Sequence, residues 1–491
     1  MEEEVFIGLD VGTAGVRAIA FNKNLKKLSF SYREHRTLSR REDEAEQDPE
    51  EIYSNLVLCL RDVSENHRKI QGIGFSSVFH SLLGIDEKGN PLTPLYPFTD
   101  TRGKDKVKKI KEKIPDFYRK TGCPPHPIYP AIKILWLKEE NASLFKKIKK
   151  FVSIKSYILN KLTKNLVEDT SVASGSGLLN IHKLCWEEEI LDFLELKKDN
   201  LPQLVEATEK LTIKYVPGIE RLKGTPIYPG GGDGVLCHLA SGLKKNVVSS
   251  TVGSSGAIRT ATEKPFLHEK ESTWCYHFYK NLWIVGGAIN NGGIALNWFK
   301  DKLYKEEEKK AGEKGEDIYK LMEEEAQKSP PGARGLIFLP FLTGERSPNW
   351  NPRMRGCLIG LSLHHEKKDI IRSIMEGVMC RMKAIMDIFK PLVGETPFVV
   401  ASGGYTKNNL WLRIQADLFN LPINIMAEKE GAAMGAAIVA MFSQGKIKDF
   451  KEFEPEIEKS ILPCKENVEK YRKVYENHLK AYKCLEKYFS C

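Results

Sequence analysis

A short phrase that occurs twice in nearly the same letters constrains this chain more than any other feature. The copies are V-G-T-A-G-V-R at residues 11–17 and V-G-S-S-G-A-I-R at residues 252–259, about half of the 491-residue chain apart. Apolar, strand-like runs flank each copy, which predicts two hairpins with glycine-rich turns. Glycine lets backbone N–H groups approach an anion, and a Thr or Ser hydroxyl adds a donor, so both turns suit phosphate. The repeat therefore predicts two related domains that hold one polyphosphate between them.

Length and composition predict a folded protein of two domains, which we expect at residues 1–245 and 246–491. A chain of 491 residues exceeds what one hydrophobic core usually supports, and 41% hydrophobic with 29% charged residues is typical of a folded protein. The acidic N-terminus has the wrong polarity for a secretory signal, and the longest small and apolar run, at residues 431–442, is too short to span a bilayer. Ten cysteines without a C-x-x-C pair are typical of a reducing compartment. We therefore expect a cytoplasmic protein with no membrane partner.

The net charge of +10 raises the question of a nucleic-acid partner. The basic residues occur mostly in runs mixed with acids, such as residues 104–113 and 301–317, which are typical of solvated helix faces. Because no nucleic-acid motif accompanies them, we expect no nucleic-acid binding. A mild positive field still favours anionic small molecules. The sequence leaves the oligomeric state open, with a homodimer as one alternative.

Strand and helix patterns alternate in both halves, which predicts an α/β protein with a central cleft. The first ninety residues predict an antiparallel meander, an amphipathic helix at 48–65 and a further buried strand. A strand, a glycine-rich turn and a helix follow at 227–243, and the strand-rich pattern begins again near Asn246. Further helices are predicted at 130–140, 153–163, 186–194, 366–389, 408–419, 431–442 and 464–489.

Asp10 ends the first predicted strand, directly before the first glycine turn. A carboxylate there can hold a hydrated Mg²⁺, which binds phosphates through few protein ligands and several waters. The alternative is an Asp that stabilises its own turn. Arg17 either reaches a phosphate or is an exposed strand residue, and Ala14 stands where a second hydroxyl would strengthen the phosphate interpretation. The first turn alone is therefore ambiguous.

Asp233, in the sequence G-G-G-D-G, is the candidate for a catalytic base. Glycines on both sides leave room for a substrate, and the helix that follows places its N-terminus beside the site. In phosphoryl transfer an Asp near the acceptor hydroxyl orients that hydroxyl and takes its proton. The alternative is an Asp that caps the helix, and the motif alone favours neither.

Four polar residues between the first turn and Asp233 form a candidate substrate site. His80 and Ser81 follow a buried strand, and Asp100 and Arg102 lie in a Pro-flanked loop. Together they suit a polyhydroxylated, carboxylated ligand, since an Arg binds a carboxylate through two N–H groups. The alternatives are a structural histidine and a local Asp–Arg ion pair. Their joint occurrence favours the binding interpretation.

A further glycine-containing turn lies near the C-terminal end, in A-S-G-G-Y-T-K-N-N-L-W at residues 401–411. Gly403 and Gly404 follow a predicted strand, and Asn408 opens a helix. Such a turn lets a flat purine lie against the backbone, with the Asn side chain available to hydrogen-bond it. The alternative is an ordinary connection between a strand and a helix.

Two longer segments carry a family resemblance. Residues 356–376 fit the C-terminal signature of the FGGY carbohydrate kinases throughout, and residues 129–140 fit their N-terminal signature apart from Ile128 at its first position. The chain thus resembles this branch of the actin- and hexokinase-like ATPases over essentially its whole length. The resemblance implies two ribonuclease-H-like domains around a central cleft. It also implies ATP with Mg²⁺ in that cleft and transfer of the γ-phosphoryl group to a sugar hydroxyl.

The resemblance also assigns roles to residues. Asp233 matches the catalytic base of the family, Phe79 and His80 match its sugar-contacting pair, and residues 98–102 match its W-x-D-x-R loop. The elements that hold Mg²⁺, phosphates and adenosine match Asp10, Gly12, Thr13, Thr251, Gly253, Ser254, Gly403, Gly404 and Asn408.

The segments nearest the candidate substrate site are most similar to the gluconate kinases of the family. These segments are residues 75–102, 153–158, 169–180 and 286–298, and the N-Q-R-E-T pattern of glycerol kinases is absent. Phe98 stands where the loop usually has Trp. This replacement keeps an aromatic ring at the position but removes an N–H donor.

The expected function is ATP-dependent phosphorylation of a sugar or sugar acid, with D-gluconate converted to 6-phospho-D-gluconate. Within the enzymes, the alternative is a kinase for xylulose or another pentulose. The alternative from another class is a non-catalytic ATP-binding regulator or filament protein on the actin-like fold. The intact Asp233 and the complete substrate loop argue against that last alternative.

Overall fold

A computed structural model describes residues 4–67, 69–244 and 246–490. The strands of the first half are β1 (Val5–Val11), β2 (Gly15–Asn22), β3 (Lys27–Glu34), β4 (Ile70–Ser77), β5 (Leu83–Ile85), β6 (Lys150–Val152), β7 (Val167–Asp169), β8 (Leu179–Asn180), β9 (Cys185–Trp186), β10 (Gln203–Val205), β11 (Leu211–Thr212) and β12 (Pro226–Gly232). Its helices are α1 (Pro49–Ser64), α2 (Lys106–Lys113), α3 (Phe117–Thr121), α4 (Pro130–Glu140), α5 (Ala142–Lys147), α6 (Ile154–Thr163), α7 (Thr170–Ser174), α8 (Glu188–Leu194) and α9 (Asp233–Ala240).

The second half repeats the mixture of strands and helices. Its strands are β13 (Val248–Val252), β14 (Gly256–Thr262), β15 (Trp274–Tyr279), β16 (Leu282–Ile289), β17 (Ile337–Leu339), β18 (Cys357–Ile359), β19 (Val399–Ser402), β20 (Ile423–Met426) and β21 (Ile457–Ile461). Its helices are α10 (Gly293–Leu303), α11 (Lys305–Lys314), α12 (Ile318–Gln327), α13 (Lys367–Val393), α14 (Asn409–Phe419), α15 (Gly431–Ser443) and α16 (Lys465–Ser490). The helices predicted from the sequence are confirmed to within a few residues at their ends.

The two main sheets share one core topology. The first has the strand order β11-β12-β4-β1-β2-β3, and the second has the order β15-β16-β14-β13-β19-β20-β21. In the first sheet β1, β2 and β3 are antiparallel neighbours, while β4 and β12 continue parallel to β1. In the second sheet β13, β14 and β16 are antiparallel, while β19 and β20 continue parallel to β13. The predicted pair of ribonuclease-H-like domains is confirmed.

Each copy of the repeated phrase forms a hairpin turn, as predicted. The first turn connects β1 to β2, where the amide of Gly12 donates to the carbonyl of Gly15 at 2.9 Å. The second turn connects β13 to β14, where the amide of Gly253 donates to the carbonyl of Ser255, also at 2.9 Å. Because β1 and β13 occupy corresponding places in the two sheets, the turns occupy corresponding places in the two halves.

Helix α15 belongs to the second half of the chain but packs against the sheet of the first half. Glycines make this approach possible, since a Cβ on Gly8 would lie 1.9 Å from the carbonyl oxygen of Ala433, and one on Gly74 would lie 1.7 Å from that of Ala436. The alanines of α15 share a hydrophobic core with residues of β1 and α9. The helix predicted at residues 431–442 is thus present and is buried over most of its length. The domain boundary between residues 245 and 246 stays a prediction.

Within the described part of the chain, no helix combines the length and the apolar character that crossing a membrane requires.

Candidate active site

The carboxyl ends of β1, β4 and β12 meet at one edge of the first sheet, and this edge carries two carboxylates. Asp10 is paired in register with Ser76, and Ser77 is paired with Gly232, the residue before Asp233. Parallel strands bring their carboxyl ends to the same edge, where open α/β sheets bind ligands. Two candidates from distant parts of the sequence are therefore brought together.

The Asp10 carboxylate is buried and held from two sides. Its Oδ1 accepts a hydrogen bond from the Ser76 hydroxyl at 2.8 Å, and its Oδ2 lies 3.4 Å from Nη1 of Arg17. The same Arg17 nitrogen lies 3.2 Å from Glu430, directly before α15. Burial raises the pKa of Asp10 to about 6, against the lowering by Arg17, and the negative charge of Asp233 raises it further. Arg17 thus bonds carboxylates in this structure, and its predicted phosphate contact stays a prediction.

Asp233 is the first residue of α9, and the helix N-cap is Gly232. The alternative interpretation, an N-cap Asp, is not what the structure has, because Asp233 lies one position inside the helix and its side chain accepts a hydrogen bond at 2.7 Å from the amide of the next residue, Gly234. Burial raises the pKa of Asp233, and the nearby guanidinium of Arg259 is the largest opposing influence. A carboxylate in this setting can be ionised and still accept a proton from a neighbouring hydroxyl.

A fully buried lysine holds the backbone that precedes Asp233. Nζ of Lys155 donates to the carbonyls of Pro229 at 2.7 Å and Gly231 at 2.8 Å, and it forms an ion pair with Asp169 at 2.8 Å. A buried ammonium with three partners is satisfied, so the contact fixes the strand end. The sequence pattern did not single out Lys155, because a lysine within an apolar helical stretch resembles an exposed residue.

The predicted sugar-contacting residues lie in a group of rings that we call the aromatic wall, formed by Phe79, His80, Tyr129 and Tyr276. The His80 ring lies 5.5 Å from that of Phe79 and 4.9 Å from that of Tyr129, and the rings of Phe79 and Tyr276 are 4.8 Å apart. The hydroxyls of Tyr129 and Tyr276 lie 3.2 Å apart.

The protonation of His80 follows from its surroundings. Burial lowers the pKa of His80 to about 3, so the ring is neutral. Its Nδ1 lies 2.6 Å from the carbonyl of Gly175, and because a carbonyl only accepts, Nδ1 carries the proton. Nε2 then carries no proton and can accept a hydrogen bond, and the contact of His80 with a sugar stays a prediction.

The other predicted substrate residues are engaged in local contacts. The hydroxyl of Ser81 accepts from the amide of Ile154 at 3.2 Å. Asp100 accepts from Nε of Arg102 at 2.8 Å, and Nη1 of Arg102 donates to Glu46 at 3.0 Å. The local ion pair is thus formed, and contact of these three residues with a substrate stays a prediction.

One signature residue joins this loop to the aromatic wall. Nζ of Lys133 donates to the carbonyl of His80 at 2.8 Å and to that of Pro97 at 2.5 Å. Burial lowers the pKa of Lys133 to about 7. Phe98, which replaces the usual Trp, is partly buried against the apolar core. The signature at residues 129–140 therefore has a structural basis, since its Lys133 fixes the loop that contains Phe98.

The turn between β13 and β14 opens onto a cavity of about 440 Å³. Of the predicted ATP-binding residues, Gly253, Ser254, Gly404 and Asn408 line it. Sequence reasoning missed most of the remaining lining, which includes Leu296, Asn297, Asp317, Tyr319, Glu323, Tyr405 and Trp411. Asn297 lies on α10, and Tyr319 and Glu323 lie on α12, a charged helix whose sequence resembles a solvated face.

The other predicted ATP-binding residues lie in or directly beside the glycine turns. Gly403 has a φ of 96°, and a Cβ there would lie 2.5 Å from the carbonyl oxygen of Val252, so only glycine permits this contact with the second turn. Thr251 lies 2.9 Å from Ser402, hydroxyl to hydroxyl. Across the cleft, the turn with Gly12 and Thr13 is fixed from below, since the carbonyl of Thr13 accepts from Nε2 of His35 and Nε2 of Gln47.

Arg259 connects the two sides of the cleft, although the sequence showed it only as the last letter of the second phrase. Its Nη1 donates to the hydroxyl of Thr251 at 3.1 Å. Its buried Nε has no hydrogen-bond partner in the structure, and it would lie 3.0 Å from a Cβ on Gly234. The absence of a side chain at Gly234 therefore lets this cation lie beside Asp233.

Fold and site together define a class of protein. The chain has two ribonuclease-H-like domains, a carboxylate beside one glycine turn and a cavity beside the other. These are the parts of a kinase for small molecules. Residues 5–240 match the N-terminal domain, and residues 248–444 the C-terminal domain, of the FGGY family of carbohydrate kinases. The chain belongs to this family. It is therefore a sugar kinase, and ATP is the phosphate donor of the family.

Known proteins similar to this chain act on two kinds of substrate. The gluconokinase of Bacillus subtilis (strain 168) is 33% identical over 500 residues, which cover 99% of this chain and 96% of that protein. The structure of gluconate kinase from Lactobacillus acidophilus matches with a TM-score of 0.91 and 30% identity, covering 99% of this chain and 98% of that one. Ligand-bound xylulose kinase from the same organism matches with a TM-score of 0.92 and 30% identity, covering 99% of each chain.

Proposed function

We propose that the protein transfers the γ-phosphoryl group of ATP to D-gluconate and releases 6-phospho-D-gluconate and ADP. One observation carries the proposal: the segments most similar to gluconate kinases surround Asp233 and His80. Segment 153–158 contains Lys155, whose Nζ holds the strand before Asp233, and segment 169–180 contains Gly175, whose carbonyl orients His80. The 33% identity with the Bacillus gluconokinase supports the same assignment.

In the proposed reaction, the oxygen of the terminal sugar hydroxyl bonds to the γ-phosphorus while Asp233 accepts the proton of that hydroxyl. The bond between the γ-phosphorus and the β-γ bridging oxygen breaks, and ADP leaves. The burial that raises the pKa of Asp233 makes its carboxylate a better base, while Arg259 keeps it ionised. The neutral His80 accepts a hydrogen bond from another hydroxyl and orients the sugar.

Backbone amides at the glycine turns are proposed to hold the phosphates. Gly253 and Ser254 lie at the rim of the nucleotide cavity, and Gly12 and Thr13 form the facing turn. Glycine turns with free amides form anion-binding concavities. Closure of the two halves would exclude water, so that ATP is not simply hydrolysed.

The residues beside the first turn fit a magnesium ion. Mg²⁺ keeps several waters and binds through one or two carboxylates together with substrate phosphates. Asp10 supplies such a carboxylate, and the described residues contain no cluster of three or more His, Cys, Asp or Glu side chains that would form a closed metal cage. Asp10 would therefore hold the ion through water. When bound, Mg²⁺ neutralises charge on the phosphates.

A substrate panel tests the proposal. ADP release is measured by a coupled assay with gluconate, xylulose, ribulose and glycerol at equal concentration. We expect the highest kcat/KM with gluconate. A higher value with xylulose or ribulose would support a pentulose kinase instead. ATP binding with no sugar-stimulated ADP release would favour the non-catalytic regulator.

A further inference from the structure

Arg346 is a cation without a carboxylate partner near the aromatic wall. It lies between β17 and β18, and its buried Nε has no hydrogen-bond partner among the residues that the structure describes. The adjacent Glu345 is not available, because it pairs with Arg381 and accepts from the hydroxyl of Tyr482 at 2.8 Å. None of the described ion pairs includes Arg346. An unpaired buried cation is costly, so this position favours binding of an anion.

The groups around Arg346 are neutral or positive. Burial lowers the pKa values of His80 and His126 to about 3, and the charge of Arg346 lowers them further, so both rings are neutral. The ring of His126 in turn lies 5.3 Å from that of Trp350, in the same loop as Arg346. Burial is the main cause that lowers the pKa of Arg346, and repulsion from the nearby cation Arg259 lowers it further. Among the described residues no carboxylate pairs with Arg346, so the position suits an anion that a ligand brings.

The residue that the sequence offered for a substrate carboxylate is already occupied. Both Asp100 and Glu46 bond the guanidinium of Arg102, which also lies over the rings of Tyr96 and Trp136. A substrate would have to displace one of these carboxylates. Arg346 needs no displacement, and a guanidinium binds a carboxylate through two parallel N–H bonds.

We propose that Arg346 binds the carboxylate of a sugar acid whose opposite end lies at Asp233. This inference rests on the proposed function and deepens it, since it names the charge that distinguishes a sugar acid from a neutral ketose. The transferring phosphoryl group is the other anion of the reaction, but its place is between the two glycine turns. Arg259 bonds to Thr251, directly before the second turn, whereas within the described part of the chain Arg346 forms no side-chain hydrogen bond to either turn.

The test compares D-gluconate with D-glucitol, which has the same carbon chain with an alcohol in place of the carboxylate. Each ligand is titrated calorimetrically without ATP, and steady-state kinetics are measured with gluconate. The variants are Arg346→Met and Arg346→Lys, and the control is Arg355→Met, an exposed residue of the same loop whose Nη1 donates to the carbonyls of Pro352 and Met354. Thermal unfolding checks that each variant is folded.

We expect Arg346→Met to weaken gluconate binding and to raise the KM for gluconate about 10- to 100-fold. This is the loss of affinity that corresponds to removing hydrogen bonds to a charged group. Glucitol binding and kcat should change little. Arg346→Lys should recover part of the affinity, and Arg355→Met should match the wild type. Unchanged gluconate affinity in Arg346→Met, or equal weakening for gluconate and glucitol, would overturn the inference.

The titration separates this inference from the proposed function. A wild type that phosphorylates gluconate with an affinity insensitive to Arg346 would overturn the inference alone. A wild type that binds gluconate through Arg346 but phosphorylates only a ketose would overturn the proposed function alone. A wild type that does not bind gluconate would overturn both.

Discussion

The turn after β1 and the turn after β13 come from nearly the same phrase, yet they present different charges to the cleft. In the first hairpin Arg17 lies directly opposite Asp10. In the second, Thr251 lies opposite Ala257, and Arg259 lies two residues further along its strand, opposite Ser249. The connection between the paired Val11 and Val16 is one residue longer than that between their counterparts in the second hairpin.

This small difference in register separates the roles of the two arginines. Arg17 faces two carboxylates, Asp10 and Glu430, which neutralise its charge. Arg259 reaches Thr251 on the diagonal, as side chains on one face of a sheet do, and its Nε stays without a partner in the described structure. The arginine beside the first turn is thus neutralised by carboxylates, whereas the arginine beside the second turn forms no ion pair among the described residues.

The largest effect is expected from removing the base of the first half. Asp233→Asn should lower kcat about 10²- to 10⁴-fold, the usual contribution of a general base. ATP binding should persist, because the nucleotide cavity is lined by residues of the second half. The measurements are coupled ADP release and calorimetric titration with ATP, and the exposed Asp105→Asn is the control. Turnover like that of the wild type in Asp233→Asn would refute the division of roles between the halves.

An intermediate effect is expected from the corresponding positions before the two turns. Asp10→Asn should lower kcat about 100-fold and raise the Mg²⁺ concentration needed for half-maximal rate, since it removes the carboxylate beside the phosphates. Thr251→Val should cost less than about tenfold, because it removes one hydroxyl and its hydrogen bonds. Magnesium titrations of both variants measure the asymmetry. If Thr251→Val lost as much rate as Asp10→Asn, the assignment of the metal to the first turn would be wrong.

The smallest effect is a shift in pH dependence. Asp233 must be ionised to accept a proton, so kcat falls as the pH drops through its pKa. Arg259 lowers that pKa, and Arg259→Met should therefore raise it and move the acid limb of the kcat profile to higher pH. Arg259→Lys should restore part of the shift. Arg17→Met should move the limb less, since Arg17 ranks below Arg259 among the groups that lower the pKa of Asp233. Equal shifts would show that the register difference has no electrostatic consequence.

Much of this architecture is predictable because it depends on local patterns. Apolar periodicity predicted β1, α1 and α14. The glycine-rich turn predicted between a strand and a helix at 227–243 was wrong in one respect, because its glycines belong to β12, which leads directly into α9. The repeated phrase predicted paired domains, because each copy needs its own sheet. In each of the confirmed cases the relevant residues are neighbours in the sequence, so spacing alone carries the signal.

The rest depends on contacts between distant residues. Lys155 holds the carbonyls of Pro229 and Gly231, and no spacing rule connects them. Arg259 stood within the repeated phrase, but the face that it occupies depends on the length of the turn. From the sequence, Arg102 resembled a free binding site for a carboxylate. In the structure its guanidinium donates a hydrogen bond to Glu46, which lies in a different loop.

The packing of α15 on the first sheet has a consequence for how the chain is made. Strands β1 and β4 leave the ribosome early, but the helix that covers them ends at Ser443. Until then, the faces at Gly8 and Gly74 lack the alanines that fill them in the finished protein. The first half therefore completes its core only after most of the second half has been synthesised. Separate expression of residues 1–245 would leave this apolar face exposed to water and to other nascent chains.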